Sequence, residues 1–551
     1  MSSAMRRHTT HAARSARWAA AVSGVLLGGC SLWDGSLYDT YEPPAELLTH
    51  IEPVSLPELA TKAPARDAPP QPASPAELRL TVETCRSSAL ERNLDLRVQL
   101  FNPAIAREAV AEADAAFEPY LFGTLGFVQS ETPVLQEAID SPESEMYAVD
   151  GGLRIPLRTG GEITVTQPFT RSETNNPYTK YPTSYSADLS LAITQPLLRG
   201  GGVRTATHGL RLARYGAGSA RARTRLEVIR VLAAADRVYW RLYAARQELV
   251  VRKQEYDLAI AQRDSAVRKV NLKEAERIEI DRAEEAAAQR LQSIIIADNA
   301  VRDRERELKA ILNRADVGLE SPTVLIPETE PNPVRYELDR ERAVAYALGH
   351  RMELVELELA LASDESSIEY ARNGRLPILS VSYTYNINAL GTTAHDAYDM
   401  MLDNEYADHR VGLYIQIPLG NEAAASRLRQ AVARREQRLA TREQRRQVIT
   451  QEVLAAADQL EANWQRVVAS RKGTALARRT LDAEKNRFDN GLQTSIEVLN
   501  AQARYANAQS AEIAALVEYQ IAQVDLAYAT GSILGAANVV WDEEENKLRA
   551  E

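Results

Sequence analysis

Val231-Leu-Ala-Ala-Ala-Asp236 returns as Val453-Leu-Ala-Ala-Ala-Asp458, 222 positions later. Nearer the N-terminus a second set of matches is shifted by 258 positions: Ala89-Leu90 and Ala347-Leu348, Asp95-Leu96 and Glu353-Leu354, Ala113 and Ala371, Pro119-Tyr-Leu121 and Pro377-Ile-Leu379. Each copy reads as helix, then alternating strand, then very long helix, so the chain predicts a duplicated, pseudo-symmetric architecture. The two shifts differ by 36 positions, so the first copy carries extra chain between its strands.

Working outward from that repeat, the strand regions show period two. Val411, Leu413, Ile415 and Ile417 fall on one face and Gly412, Tyr414 and Gln416 on the other. Val381, Tyr383, Tyr385 and Ile387 alternate with Ser382, Thr384 and Asn386; Leu189, Leu191 and Ile193 alternate with Ser190, Ala192 and Thr194; Ile163 and Val165 alternate with Thr164 and Thr166. Strands of about ten residues, apolar outside and small or polar inside, are what a transmembrane β-barrel needs. A half-buried soluble sheet shows the same alternation. The strand sets close on matched phrases, Ile193-Thr-Gln-Pro-Leu-Leu198 and Ile415-Gln-Ile-Pro-Leu419, where proline stops the ladder. Gly200-Gly201-Gly202 has neither the Lys nor the Ser/Thr of a phosphate loop, so these glycines read as conformational. Gly160-Gly161 and Asn175-Asn176-Pro177 punctuate an added hairpin around 147–172, which either enlarges the sheet or folds outside it.

Residues 204–269 and 422–489 contain no proline and predict helices of about 100 Å. Leu242, Leu249, Tyr256, Arg263 and Val270 recur every seven residues, and Leu460, Trp464, Val467 and Arg471 keep a 4-3-4 spacing, the pattern of left-handed coiled-coil packing. Turns near Val270-Asn-Leu272 and Asn490-Gly491-Leu492 fold each stretch into a long antiparallel hairpin. From 77 to 117 the pattern is helical, with a break at Asn102-Pro103.

The 551 residues carry a formal net charge of −11, which leaves no electrostatic footprint for nucleic acid. Arg6, Arg7, Arg14 and Arg17 precede a short apolar run, Trp18 to Leu27, too short to span a membrane. Leu27-Gly28-Gly29-Cys30 resembles a bacterial lipobox, which implies cleavage before Cys30 and its acylation; Ser31 after it resembles an outer-membrane address. An ordinary signal peptide with a chance cysteine is the plainer alternative. The remaining cysteine, Cys85, lies in a helical pattern and reads as a small buried residue. The Pro-rich segment that follows Cys30 cannot form a continuous helix. The organisation is therefore 1–29 signal peptide, 30–76 tether, 77–320 first repeat (strands about 119–197, hairpin about 204–312), 321–336 linker, 337–535 second repeat (strands about 377–419, hairpin about 422–530) and 536–551 acidic tail.

Arg487-Phe488, Gly491-Leu492, Thr494, Glu497-Val-Leu-Asn-Ala-Gln502, Tyr505, Ala508-Gln509, Tyr519 and Gly531 closely resemble the closing signature of TolC-like outer-membrane efflux proteins. Arg351-Met-Glu-Leu354 through Ala371-Arg372 to Leu376-Pro377, and Gln195-Pro-Leu-Leu-Arg-Gly200, are similar to two further phrases of that family. The resemblance covers about 78–535. It implies a mainly α protein with a membrane β-barrel portion, a homotrimer whose strands share one barrel and whose helices share an α-helical tunnel. It implies a passive export channel in a tripartite efflux or type I secretion system, working with a periplasmic adaptor and an inner-membrane pump of RND or ABC type. Open strand edges in lipid are prohibitively costly, and trimerisation would close them. The resemblance places adaptor docking at the hairpin tips, Gly491, Leu492 and Thr494, with Val270 and Leu272 as the first-copy counterpart that lacks glycine. Glycine allows the tight turn, and Thr494 can cap the returning helix. It places a periplasmic gate at Glu497 and Asn500, with Arg487 as a restraining partner. Three copies of Glu497 around a threefold axis would favour cations.

Two other classes bear on the reading. A lipid-anchored coiled-coil tether without a pore would not need alternating strands with Pro-Leu punctuation. An enzyme would need a motif, and GxSxG, HExxH and CxxC are absent. His395, Asp396, Met400, Met401, Asp403, Glu405, Asp408 and His409 crowd the polar segment 388–410, but without the fixed spacing of a metal site. No cofactor is expected.

Overall fold

In the computed structural model the described residues are 76–131, 143–176, 178–273, 276–490, 492–537, 539–542 and 547–550. The chain divides into two units, Met1–Ala73 and Ser74–Glu551. The expected signal peptide, Cys30 and almost all of the tether lie outside the described residues. The second unit is mainly helical with one large sheet.

The first strand, β1 (Glu77–Leu80), departs from the helical expectation for 77–117. It pairs in parallel with β7 (Val324–Pro327), inside the segment read as a linker. Three helices follow: α1 (Val82–Arg92), α2 (Leu94–Gln99) and α3 (Phe101–Ala115). The breaks fall at Asn93 and Leu100, not at Asn102-Pro103. Asn93 accepts the Leu96 amide and so caps α2. Pro103 sits in the first turn of α3, where a missing N–H costs nothing.

The sheet strands are β2 (Tyr120–Glu131), β3 (Glu143–Pro156), β4 (Glu162–Thr174), β5 (Thr183–Ala187), β6 (Leu189–Pro196), β8 (Ile378–Ile387), β9 (Leu390–Gly391) and β10 (Ala407–Gln416). They form one antiparallel sheet in the order β10-β8-β6-β4-β3-β2, with β5 and β9 off this path. The added hairpin is therefore β3–β4, and it lies inside the sheet. β5 and β6 run one after the other along β4. Pro168 lies at their junction, where β4 offers Asp188 a carbonyl and no N–H is required.

After the short α4 (Val203–Ala206), α5 (His208–Asn271) runs for 64 residues, about 96 Å, and α6 (Ile278–Leu312) returns. The second half runs α7 (Arg340–His350), α8 (Met352–Asn373), the strands β8 to β10, α10 (Glu422–Asp489) and α11 (Ser495–Thr530). Between β9 and β10 lies α9 (Ala394–Asp403), in the segment read as a polar loop. Thr393 and Asp396 form its capping box, so that carboxylate serves the helix start. Past Gly531, α12 (Ile533–Ala536) buries Ile533 and Leu534, and β11 (Val539–Asp542) pairs with β12 (Lys547–Ala550) in the segment read as a tail. No helix among the described residues is long and apolar enough to cross a membrane.

Each half places short helices before its strands and a long helical pair after them, and α7 lies 258 positions after α1 at both ends. The core sits where the opening helices of each half meet the middles of the long helices. Leu80, Cys85, Tyr239, Leu242, Leu308 and Leu325 form one cluster; Ala89, Leu96, Val228 and Leu232 form the next. Cys85 is fully buried, and burial, with the Asp236 carboxylate adding to it, pushes its thiol up to about 12. Along the lower part of α5 the buried line is Val251, Glu255, Ala259, Gln262 and Ala266. The heptad series Leu249, Tyr256, Arg263 and Val270 flanks this line and is half-buried. Ala283, Ala286 and Ala287 of α6 are also buried, as small residues at a close helix contact must be.

Candidate functional site: an amphipathic sheet and two joined hairpin tips

Strand register decides which side chains share a face, because directly paired residues point to the same side. Leu121 pairs with Leu153, Leu153 with Val165, Val165 with Leu191, Leu191 with Tyr385 and Tyr385 with His409. One row along, Ile155, Ile163, Ile193, Tyr383 and Val411 follow each other across the sheet. Across these two rows the face is apolar up to His409 on β10.

The other face carries Thr124, Asp150, Arg154, Glu162, Thr164, Thr166, Ser190, Ser382 and Thr384 by the same register. Its groups bond to one another. Thr124 Oγ1 donates to Asp150 at 2.9 Å, and Arg154 lies 3.1 Å from Glu162 and stacks over Tyr120 and Phe122. A sheet with one apolar and one hydrogen-bonded polar face is equipped to separate lipid from water. Among the described residues its two edges, β2 and β10, carry no further strand.

At the far end of the long helices the tips are held to each other. Lys269 of α5 donates to the Phe488 carbonyl at 3.1 Å, and its ammonium stands 3.5 Å from that ring's centroid. Ser495 at the start of α11 hydrogen-bonds Glu279 of α6. Phe488, Leu481, Val498 and Ala501 pack beneath these ties. The sequence reading missed Lys269, Glu279 and Ser495, because pairings across some 220 positions leave no local pattern.

Leu272 and Leu492 stand out at the two tips, 68% and 76% exposed, while Val270 is half-buried. Gly491 lies outside the described residues. Lys273 takes the left-handed conformation in the glycine-free first tip, at φ 59°. Thr494 occupies the N-cap position of α11 but its side chain makes no capping bond, which corrects the expected role. Glu497 sits half-buried in the first turn of α11, and Asn500 is exposed one turn on. Arg487 reaches Glu484 on its own helix, at 3.6 Å, rather than Glu497 or Asn500.

In the 388–410 segment, His395 pairs with Asp399 at 3.3 Å and His409 Nδ1 lies 2.9 Å from the Tyr383 hydroxyl. No group of three His, Cys, Asp or Glu among the described residues is placed to hold a metal ion.

Residues 344–532 match the family described as outer membrane efflux protein. The outer-membrane channel OprN is similar in structure, with a TM-score of 0.61 and 17% identity over 82% of this chain and 90% of that one. CusC, described in terms of transmembrane channel formation, matches at 0.60 and 15% identity over 85% and 99%. The outer membrane protein VceC of Vibrio cholerae matches at 0.61 and 14% identity over 82% and 96%. No curated protein matches in sequence. The resemblance to TolC-like outer-membrane efflux proteins is borne out: residues 344–532 match the outer membrane efflux protein family, and the body that holds them has the fold of outer-membrane efflux channels.

Proposed function

We propose that this chain is the outer-membrane channel of a tripartite efflux or type I secretion system. It acts as a passive homotrimeric conduit from periplasm to exterior. The observation that carries this reading is the sheet: apolar on one face, polar on the other and, among the described residues, open at both edges. Such a sheet is stable in lipid only when closed. Three copies close it, and each repeat of a duplicated unit supplies strands to the barrel and one long hairpin to a helical tunnel. Cys30, acylated, anchors the chain in the outer membrane.

The tips face the periplasm. Exposed Leu272 and Leu492, with Gly491 and Thr494 between the helices of the second tip, form the docking surface for a periplasmic adaptor. An inner-membrane pump of RND or ABC type behind that adaptor supplies energy and substrate. Glu497 and Asn500 ring the entrance of the tunnel. The Lys269–Phe488 and Glu279–Ser495 ties hold the tips together in this state.

Outer-membrane fractionation tests the reading. The chain is expected in the outer-membrane fraction as a trimer whose electrophoretic mobility changes on heating, and labelled by palmitate in a manner abolished by Cys30→Ser. An inner-membrane or soluble monomer would refute it. In planar bilayers Glu497→Ala is expected to reduce cation preference, and unchanged selectivity would remove Glu497 from the gate.

A further inference from the structure

The sheet holds more strands than the repeat accounts for. At a shift of 258 positions β2 corresponds to β8, and at 222 positions β6 corresponds to β10. Each repeat therefore contributes two strands, and β3 and β4 are additional. Their number preserves alternation. Two inserted strands leave β2 antiparallel to its neighbour and keep β2 and β10 running in opposite directions. An insertion of one strand would have made the two edges parallel.

The insertion is also fixed at its turn. Gly160, at φ +86°, lies so near the Gly200 carbonyl that a Cβ would approach within 2.3 Å, and a Cβ on Gly161 would meet Gln195 Oε1 at 2.4 Å. The Gly202 amide donates to the Thr159 carbonyl at 3.0 Å. Arg158 reaches Asp114 at the end of α3, at 2.8 Å. The new turn is thus bound to the strand-to-helix junctions of the first half, at the level where the original strands leave the sheet.

The edges remain. Leu121 and Leu125 on β2 are 83% and 81% exposed, and Val411 and Leu413 on β10 are 75% and 62% exposed. By register all four lie on the apolar face. Both edges therefore offer the same order of faces, opposite strand directions and a backbone that meets no further strand among the described residues, which is the complement a second copy of this chain supplies.

We propose that β2 of one copy pairs antiparallel with β10 of the next, and that three copies close a barrel of eighteen strands, six from each. The two-strand repeat alone would give twelve. Barrel diameter grows roughly linearly with strand number, so the inserted hairpin widens the barrel about 1.5-fold, into the range where an aqueous lumen persists. The site deepens the channel reading and rests on it. The ligand class it implies is a cargo wider than a twelve-strand barrel would pass at its outer mouth.

Two measurements on the full chain test this. In a Cys85→Ala background, Thr124→Cys combined in turn with Arg410→Cys and Tyr414→Cys should give oxidised covalent species up to the trimer. Each single cysteine should give none. A heat-modifiable trimer in which β10 cysteines cross-link to Thr164→Cys of β4, or in which β2 and β10 never cross-link, overturns the proposal. Second, deletion of 143–174 should leave β2 to pair with β6 and lower the size of poly(ethylene glycol) admitted from the external side, toward about two-thirds of the wild-type diameter. An unchanged cut-off in a conducting trimer overturns it. If the deletion does not assemble, the cross-links decide. A chain that forms neither trimer nor pore contradicts the channel reading itself, which separates the two failures.

Discussion

The aspartates that end the matched phrases, Asp236 and Asp458, each lie within a long helix and are treated differently. Asp236 of α5 is 1% exposed and held by Arg86 of α1 through Nε at 2.9 Å and Nη2 at 2.7 Å. Asp458 of α10 is 63% exposed and meets Arg340 of α7 at 2.7 Å. The helix break that follows shows the opposite contrast. In the first half it is a neutral cap, Asn93. In the second it is Arg351, 4% exposed, which binds Glu353, Glu452 and the Ala529 carbonyl. Each half has one buried ionic anchor between its opening helices and its long helix, and the two halves set it one helix apart.

Substitutions at equivalent positions should therefore give unequal effects. The largest is expected for Arg86→Ala, about 3–5 kcal/mol in urea unfolding, because it strands a buried carboxylate. Burial already pushes the Asp236 carboxyl up against the pull of Arg86, and the variant removes that pull. An effect below about 1 kcal/mol would show that the anchor is not where stability is held.

Glu353→Gln comes next, at about 1.5–3 kcal/mol for lost charge-assisted hydrogen bonds. Burial would raise this carboxyl, but Arg351 and then Arg445 hold it below its ordinary 4.5. A depressed carboxylate stabilises above its unfolded value, and that contribution is lost as pH falls through the lower folded value. Thermal unfolding of the wild type should therefore lose stability below about pH 4.5, and Glu353→Gln should flatten that slope. An identical acid profile in the variant would remove Glu353 from the account.

Asn93→Ala, which deletes the α2 cap and the bond to the Ile311 carbonyl, should cost about 1 kcal/mol. Smallest is Arg340→Ala, below about 1 kcal/mol, because its pair is solvated on both sides. If Arg340→Ala matched Arg86→Ala, the contrast between halves would be false.

What the sequence made legible follows the range of each signal. Period two placed the sheet strands, the difference between the two shifts announced β3–β4, and long proline-free stretches marked α5 and α10. Pairings across hundreds of positions left no such mark. β1 meets β7 some 247 positions away, so in the sequence its four residues merge with the helical pattern beside them. Pro103 reads as a break because proline ends helices from their interior, but the chain breaks at Leu100, which puts Pro103 in the first turn of α3. α9 could have been found, since Thr393 and Asp396 stand at capping-box spacing. At the tips, exposed Leu272 and Leu492 were legible, whereas the Lys269 and Glu279 ties that join them were not.

The most direct test is single-channel recording of the purified full-length protein in planar bilayers. The account predicts discrete, cation-preferring conductance from the heat-modifiable trimer. A trimer that inserts and carries no current would contradict it.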